Sequence, residues 1–238
     1  MTIDSVEFKE TITQARRWTI QDVQSVLEDR QKELESKPLF NALDRSSQIE
    51  DLQVIAPHFY FFVLAFPDML RLTYELISDT SLKEVALSLA QDDAGHDQWY
   101  LFDLEQLGCT RDLRWLFRPT HQPVRDLVYQ LTSNLWRVSD DRVRIIFPLA
   151  LEATGIVFFK HLAGLVQRAG YDKSLRYFGS SHQEAEINHT IYEDGKEVLR
   201  DIEFDEKTYQ EAIALVKQCF DSFECLADYL EQQRGDVF

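Results

Sequence analysis

Apolar residues recur at spacings of three and four along nearly all of this 238-residue chain, and only eight glycines and six prolines interrupt them. Sustained alternation with a period of two, which a half-buried strand would require, does not occur, so the sequence predicts an all-α fold. A first helix is expected after Thr19 as its cap, running through IQDVQSVLEDRQKELES to Pro38 with Ile20, Val23 and Leu27 on one face. A second is expected over about 49–77, bent or divided near Pro57 and Pro67. A third, capped by Ser81 or a neighbour, should run through Leu107 and stop at Gly108. Later helices are expected over roughly 123–137, 140–169, 173–202 and 206–234, giving a single-domain bundle of about seven helices joined by short loops.

Composition narrows the function. A formal charge of −16 with dispersed lysines and arginines repels phosphate backbones, which argues against nucleic acid as a partner. The longest apolar stretches, Phe59 to Phe66 and Ile145 to Phe159, are bounded or interrupted by Pro67, Pro148 and Glu152. They fall short of the roughly 20 residues that span a bilayer, so no membrane role is expected. The opening MTIDSVEFKE has acids and no apolar core of a secretory signal, and Cys109, Cys219 and Cys225 form no CxxC. Free thiols in a cytoplasmic protein are the expectation.

Three stretches carry groups that could do chemistry. In SSHQEAEINHT, His182, Glu186 and His189 stand at i, i+4 and i+7. At about 100° per residue they fall within about 60° of one another on one helical face. Two imidazoles flanking a carboxylate suit a borderline metal such as iron or manganese, although a solvated polar stripe has the same pattern. In QDDAGHDQWYLFDLEQLG, Asp92 and Asp93 each lie one turn from His96, so at least one of these acids can share a metal with the imidazole. The third group is Glu152, set in the apolar IIFPLALEATGIVFF. An ionised carboxylate there needs a cation, a proton or an arginine such as Arg142 or Arg144. Acids and histidines pointing inward from several helices are how a bundle builds a dinuclear carboxylate site.

Those residues resemble the haem-oxygenase-like di-iron oxidases, which share their fold with haem oxygenase and the thiaminase-II proteins. The likeness covers roughly residues 20 to 205 and rests on DDAGHDQWYLFDLEQLG, the LALEATG glutamate and the His-x3-acid-x2-His helix. It implies a haem-oxygenase-like multi-helix bundle with two bound irons, manganese being a possible substitute. It also implies dioxygen activation and oxidation of a small amine, amino acid or fatty acid. By the same resemblance His96, His182 and His189 supply nitrogen, Glu152 bridges or terminally ligates, and Glu186 with one of Asp92 or Asp93 completes the set. The chain departs from the family pattern at Leu89, where many members carry an acid or histidine, and at Asp93, which is shorter than the usual glutamate.

Two rivals stay open. One is metal-free chemistry of the thiaminase-II kind, which needs a cysteine in the cavity; the other is a non-catalytic binding or scaffold bundle. Homodimerisation is expected from the prevalence of twofold assemblies. Of the remaining polar residues, His58 is expected as a hydrogen-bonded interior or boundary histidine, and His161 should face away from Glu152. Pro-flanked His121 should be exposed. Asp103 should either orient a ligand or, preferentially, pair with an arginine across the bundle. Most aromatics should be core, with a subset of Phe59, Tyr60, Phe61, Phe62, Trp99, Tyr100, Phe158 and Phe159 lining a substrate pocket. Tyr60, Tyr100 and Tyr192 are also candidate redox-active residues.

Overall fold

The computed structural model describes residues 16–110, 112–182 and 196–235. The chain enters through a two-residue strand, β1 (Trp18–Thr19), and then α1 (Ile20–Glu35), whose start is fixed by the backbone N–H and the hydroxyl of Thr19, both donating to Asp22. Pro38 lies just past the end of α1, where the helix was expected to stop, and also opens a helix that the sequence reading lacks, α2 (Pro38–Arg45). A proline at the first helical position removes only an amide that would have had no partner, so it starts a helix as readily as it stops one. Next come α3 (Ile49–Ile55), a 3-10 turn (Ala56–Phe59) and α4 (Tyr60–Leu76). The chain divides at Pro57 as expected, but Pro67 lies inside α4 without ending it.

The expected third helix is two helices. Asp79, whose carboxylate accepts from the Leu82 amide at 2.9 Å, caps α5 (Thr80–Asp92), and α6 (His96–Gln106) follows Gly95. Gly95 has φ 96°, a left-handed conformation that glycine adopts at little cost. Beyond it lie α7 (Leu113–Leu116), a 3-10 turn (Pro119–His121), α8 (Gln122–Arg137), α9 (Asp141–Arg144) and α10 (Ile146–Arg168). Residues 173–179, expected to begin a helix, form turns instead, and helical residues resume at 180–182. The described chain closes with α11 (Lys196–Arg200), β2 (Glu203–Phe204) and α12 (Glu206–Gly235). Strand β2 pairs antiparallel with β1, Trp18 opposite Phe204, a small sheet the periodicity did not announce.

Helix α10 is the axis of the bundle. It is apolar on nearly every side, as a helix surrounded by others must be, and it packs against α1, α2, α3, α4 and α12. Phe147, Ala150, Leu165 and Val166 are wholly enclosed. Two helical stretches, 49–76 and 141–168, are long and apolar enough to cross a membrane by length and composition, contrary to the expectation that such stretches fall short. In the fold their apolarity is spent on the core, with 72% of the most apolar window of the second buried inside the bundle.

Candidate metal centre and its cavity

The break at Gly95 places a short acidic turn at the base of the core. Asp93 caps the end of α5 and His96 begins α6, tied together by His96 N–H donating to the Asp93 carbonyl at 3.2 Å. Both side chains are buried, and Asp93 Oδ1 stands 3.1 Å from His96 Nδ1. Asp92 is exposed. Of the two acids left open by spacing, Asp93 therefore faces inward and Asp92 faces solvent. Leu89 is a buried core residue.

His182 meets this pair from the other side. Its exposure is only 1%, and its Nδ1 lies 2.7 Å from the Tyr177 carbonyl oxygen. A carbonyl can only accept, so Nδ1 carries the proton and Nε2 presents its lone pair. That Nε2 lies 3.1 Å from His96 Nδ1. One imidazole nitrogen of His96 thus faces both a carboxylate oxygen and an imidazole lone pair, two acceptors that its own N–H can meet. Nitrogen and oxygen donors of this kind, with one imidazole held in a fixed tautomer by a carbonyl, are the types that a borderline divalent metal would take.

The Tyr177 carbonyl is itself held in place. Asp103 on α6, fully buried, accepts from the backbone amides of Arg176 at 2.7 Å, Tyr177 at 2.8 Å and Phe178 at 2.9 Å. Burial raises the Asp103 carboxyl above its ordinary value, while the three amides oppose that rise by stabilising the ionised form. Asp103 therefore orients a candidate ligand through the backbone instead of pairing with an arginine. The turn it clamps ends at Gly179, where a Cβ would stand 2.5 Å from the Leu175 carbonyl oxygen. Only glycine fits there, and His182 follows three residues later.

Glu152 approaches from α10 and lines the same enclosed cavity as Asp93 and His182. The two arginines proposed as its partners are engaged elsewhere: Arg142 with Asp140 and the Glu203 carbonyl, Arg144 with Asp141 and the carbonyls of Leu76 and Val138. Seven phenylalanines wall this small cavity. Phe59, Phe62, Phe158 and Phe159 belong to the expected aromatic subset; Phe66, Phe178 and Phe223 do not. Glu186 and His189 lie outside the described residues, as does Tyr192. Among the described residues no group of three or more His, Cys, Asp or Glu side chains is placed to hold a metal ion.

Other histidines behave differently. His161 does face away from Glu152, yet it is buried, its Nδ1 2.7 Å from Asp44 Oδ1. Its Nε2 lies 3.3 Å from Glu35 Oε1, outside hydrogen-bonding alignment. His58 is an interior hydrogen-bonded residue, as expected. His121, expected in solvent, is 93% buried because Trp115 stacks on it with ring centres 3.9 Å apart. Flanking prolines mark a turn, and a turn can still be roofed by an aromatic ring.

No family model and no curated protein matches the chain. Among solved structures it is similar to a domain of unknown function with a haem oxygenase-like fold from Shewanella denitrificans, with a TM-score of 0.64 at 13% identity over 92% of this chain and 94% of that one. The chain therefore has the haem oxygenase-like fold. The fold hosts enzymes, and the neighbour carries no assigned activity, so function has to be argued from the site.

Proposed function

We propose that the protein is a non-haem di-iron oxidase or oxygenase that uses dioxygen to oxidise a small organic molecule. The observation that carries this reading is the convergence of Asp93 Oδ1 and His182 Nε2 on His96 Nδ1, at the edge of a phenylalanine-walled cavity that Glu152 also lines. Asp93, His96, His182 and Glu152 would hold metal, with Glu186 and His189 completing the set by resemblance. Bound iron would supply the electrons for reducing dioxygen. The protein's own part is to fix the His182 tautomer through Asp103 and the Tyr177 carbonyl, keep water out with the aromatic wall, and position the substrate. Among the amines, amino acids and fatty acids that the resemblance implies, molecules with an apolar body match the wall.

Thiaminase-II-like chemistry draws no support from the described thiols. No cysteine lines the cavity, and burial pushes Cys109 up to about 11 and Cys219 higher still, both away from the reactive thiolate. The test is anaerobic Fe(II) titration of the purified protein followed by rapid mixing with dioxygen. Binding of about two irons per chain and a transient visible absorption are expected. Absence of binding, or iron inert to dioxygen, would overturn the reading in favour of a binding or scaffold bundle.

A further inference from the structure

A second cluster of buried titratable groups plays no part in the site above. Tyr229 on α12 sends its hydroxyl between two imidazoles, 3.0 Å from His58 Nδ1 and 3.0 Å from His121 Nδ1, with the Thr120 carbonyl at 3.3 Å. His58 and His121 come from two separate 3-10 turns, so three distant parts of the chain converge on one phenolic oxygen. Trp115, partly exposed, stacks on His121 and lies with its ring centre 4.9 Å from that of His58. On the inner side, His58 is followed directly by Phe59, which lines the phenylalanine-walled cavity.

We propose that Tyr229, with His58 and His121, is a proton-coupled redox site that passes an electron between the cavity and the surface-facing Trp115. A phenol gives up an electron at accessible potential only if its proton leaves at the same time, and a hydrogen-bonded imidazole lone pair is the acceptor that makes this possible. In the step, Tyr229 loses one electron to a dioxygen-derived one-electron oxidant in the cavity. Its hydroxyl proton crosses the existing hydrogen bond to an imidazole Nδ1, leaving a neutral phenoxyl radical and an imidazolium. One electron from an external reductant, entering through Trp115, then restores the phenol as the proton returns. The geometry suits the role: the phenol's single proton can be donated to one imidazole while the other donates to the phenolic oxygen, so acceptor and donor are both in place beforehand. Burial keeps both imidazoles neutral with a lone pair available, and because it disfavours the charged form most at His58, pushed down to about 3, His121 is the easier of the two to protonate. Only the source of the oxidant rests on the di-iron reading.

The experiment therefore generates the oxidant photochemically, with a cationic ruthenium polypyridyl complex and a sacrificial acceptor acting on the metal-free full-length protein, and follows radicals by EPR. Wild type is expected to give a neutral tyrosyl signal that outlasts those of exposed tyrosines, absent in Tyr229→Phe, which keeps the ring and its packing. His58→Gln and His121→Gln, checked for folding by circular dichroism, should together account for the proton acceptor: at least one should slow radical formation by about tenfold or more and abolish its deuterium isotope effect. A persistent signal unchanged in Tyr229→Phe, or a rate indifferent to both histidine replacements, would overturn the proposal. Failure of Fe(II) to bind would overturn the di-iron reading and leave this result standing.

Discussion

Two pairs of histidines sit within one bundle and differ in what fills the space between them. His96 and His182 meet directly: nitrogen faces nitrogen at 3.1 Å with a carboxylate alongside, at the edge of a cavity. Between His58 and His121 stands a phenol, 3.0 Å from each, with an indole closing the outside. The residue types are similar, but in the first arrangement the imidazoles meet each other and a carboxylate directly, and in the second they meet through the protein's own hydroxyl. On the readings proposed above, the groups beside the imidazoles would decide whether such a cluster holds a metal or moves a proton.

The largest effect expected from breaking this contrast is at His182. His182→Ala should lower Fe(II) affinity by about a hundredfold or more, read by anaerobic titration, whereas His121→Ala should leave it unchanged. The closed cluster should instead show itself in acid. His58 falls from its ordinary 6.5 to about 3 because burial, and then the neighbouring His121, disfavour its charged form. The unfolded chain thus binds the extra proton first, so stability is complete above about pH 6.5 and is lost as pH falls toward 3, by up to about 4 kcal/mol. Denaturant unfolding at a series of pH values should find that slope reduced in His58→Gln.

A smaller effect is expected at Asp103, the support of the open cluster. Asp103→Ala leaves three amides without their acceptor and should cost about 3 kcal/mol in denaturant unfolding. It should also weaken metal binding by about tenfold, with Asp103→Asn intermediate in both. The smallest change belongs to Asp92→Asn: exposed and pointing outward, it should alter stability by less than about 0.5 kcal/mol and metal affinity not at all. A large loss on that replacement would mean that the inward and outward acids have been exchanged.

Much of the architecture was legible because helices write their period into the sequence. Thr19, Gly108 and Gly170 mark the ends expected of them, and the latter two have the positive φ that the stops require. The break at Gly95 is harder to read: helical spacing of apolar residues continues on both sides of it, and a single helix through Leu107 is what the pattern predicts. That one turn decides which of Asp92 and Asp93 is buried, and spacing alone could not. His96 and His182 were legible as candidates from the helical spacing of acids and imidazoles around them, and Glu152 as a polar group among apolar neighbours. The support around them was not. Asp103 acts on backbone amides more than seventy positions away, and amides leave no trace in side-chain identity. His58, His121 and Tyr229 likewise come together only through tertiary contact.

The central position of α10 has a consequence for how the protein is made. This helix is complete when the ribosome has passed residue 168, but α12, which covers much of it, follows only after some ~70 further residues, several seconds of synthesis at about 5–20 residues per second. During that interval the newborn chain displays an apolar rod that by length and composition resembles a membrane span. A stop codon placed before α12 should therefore yield not a smaller bundle but a product held by chaperones or lost to proteolysis, and a helix translated well after those it covers is the one that releases them from that custody.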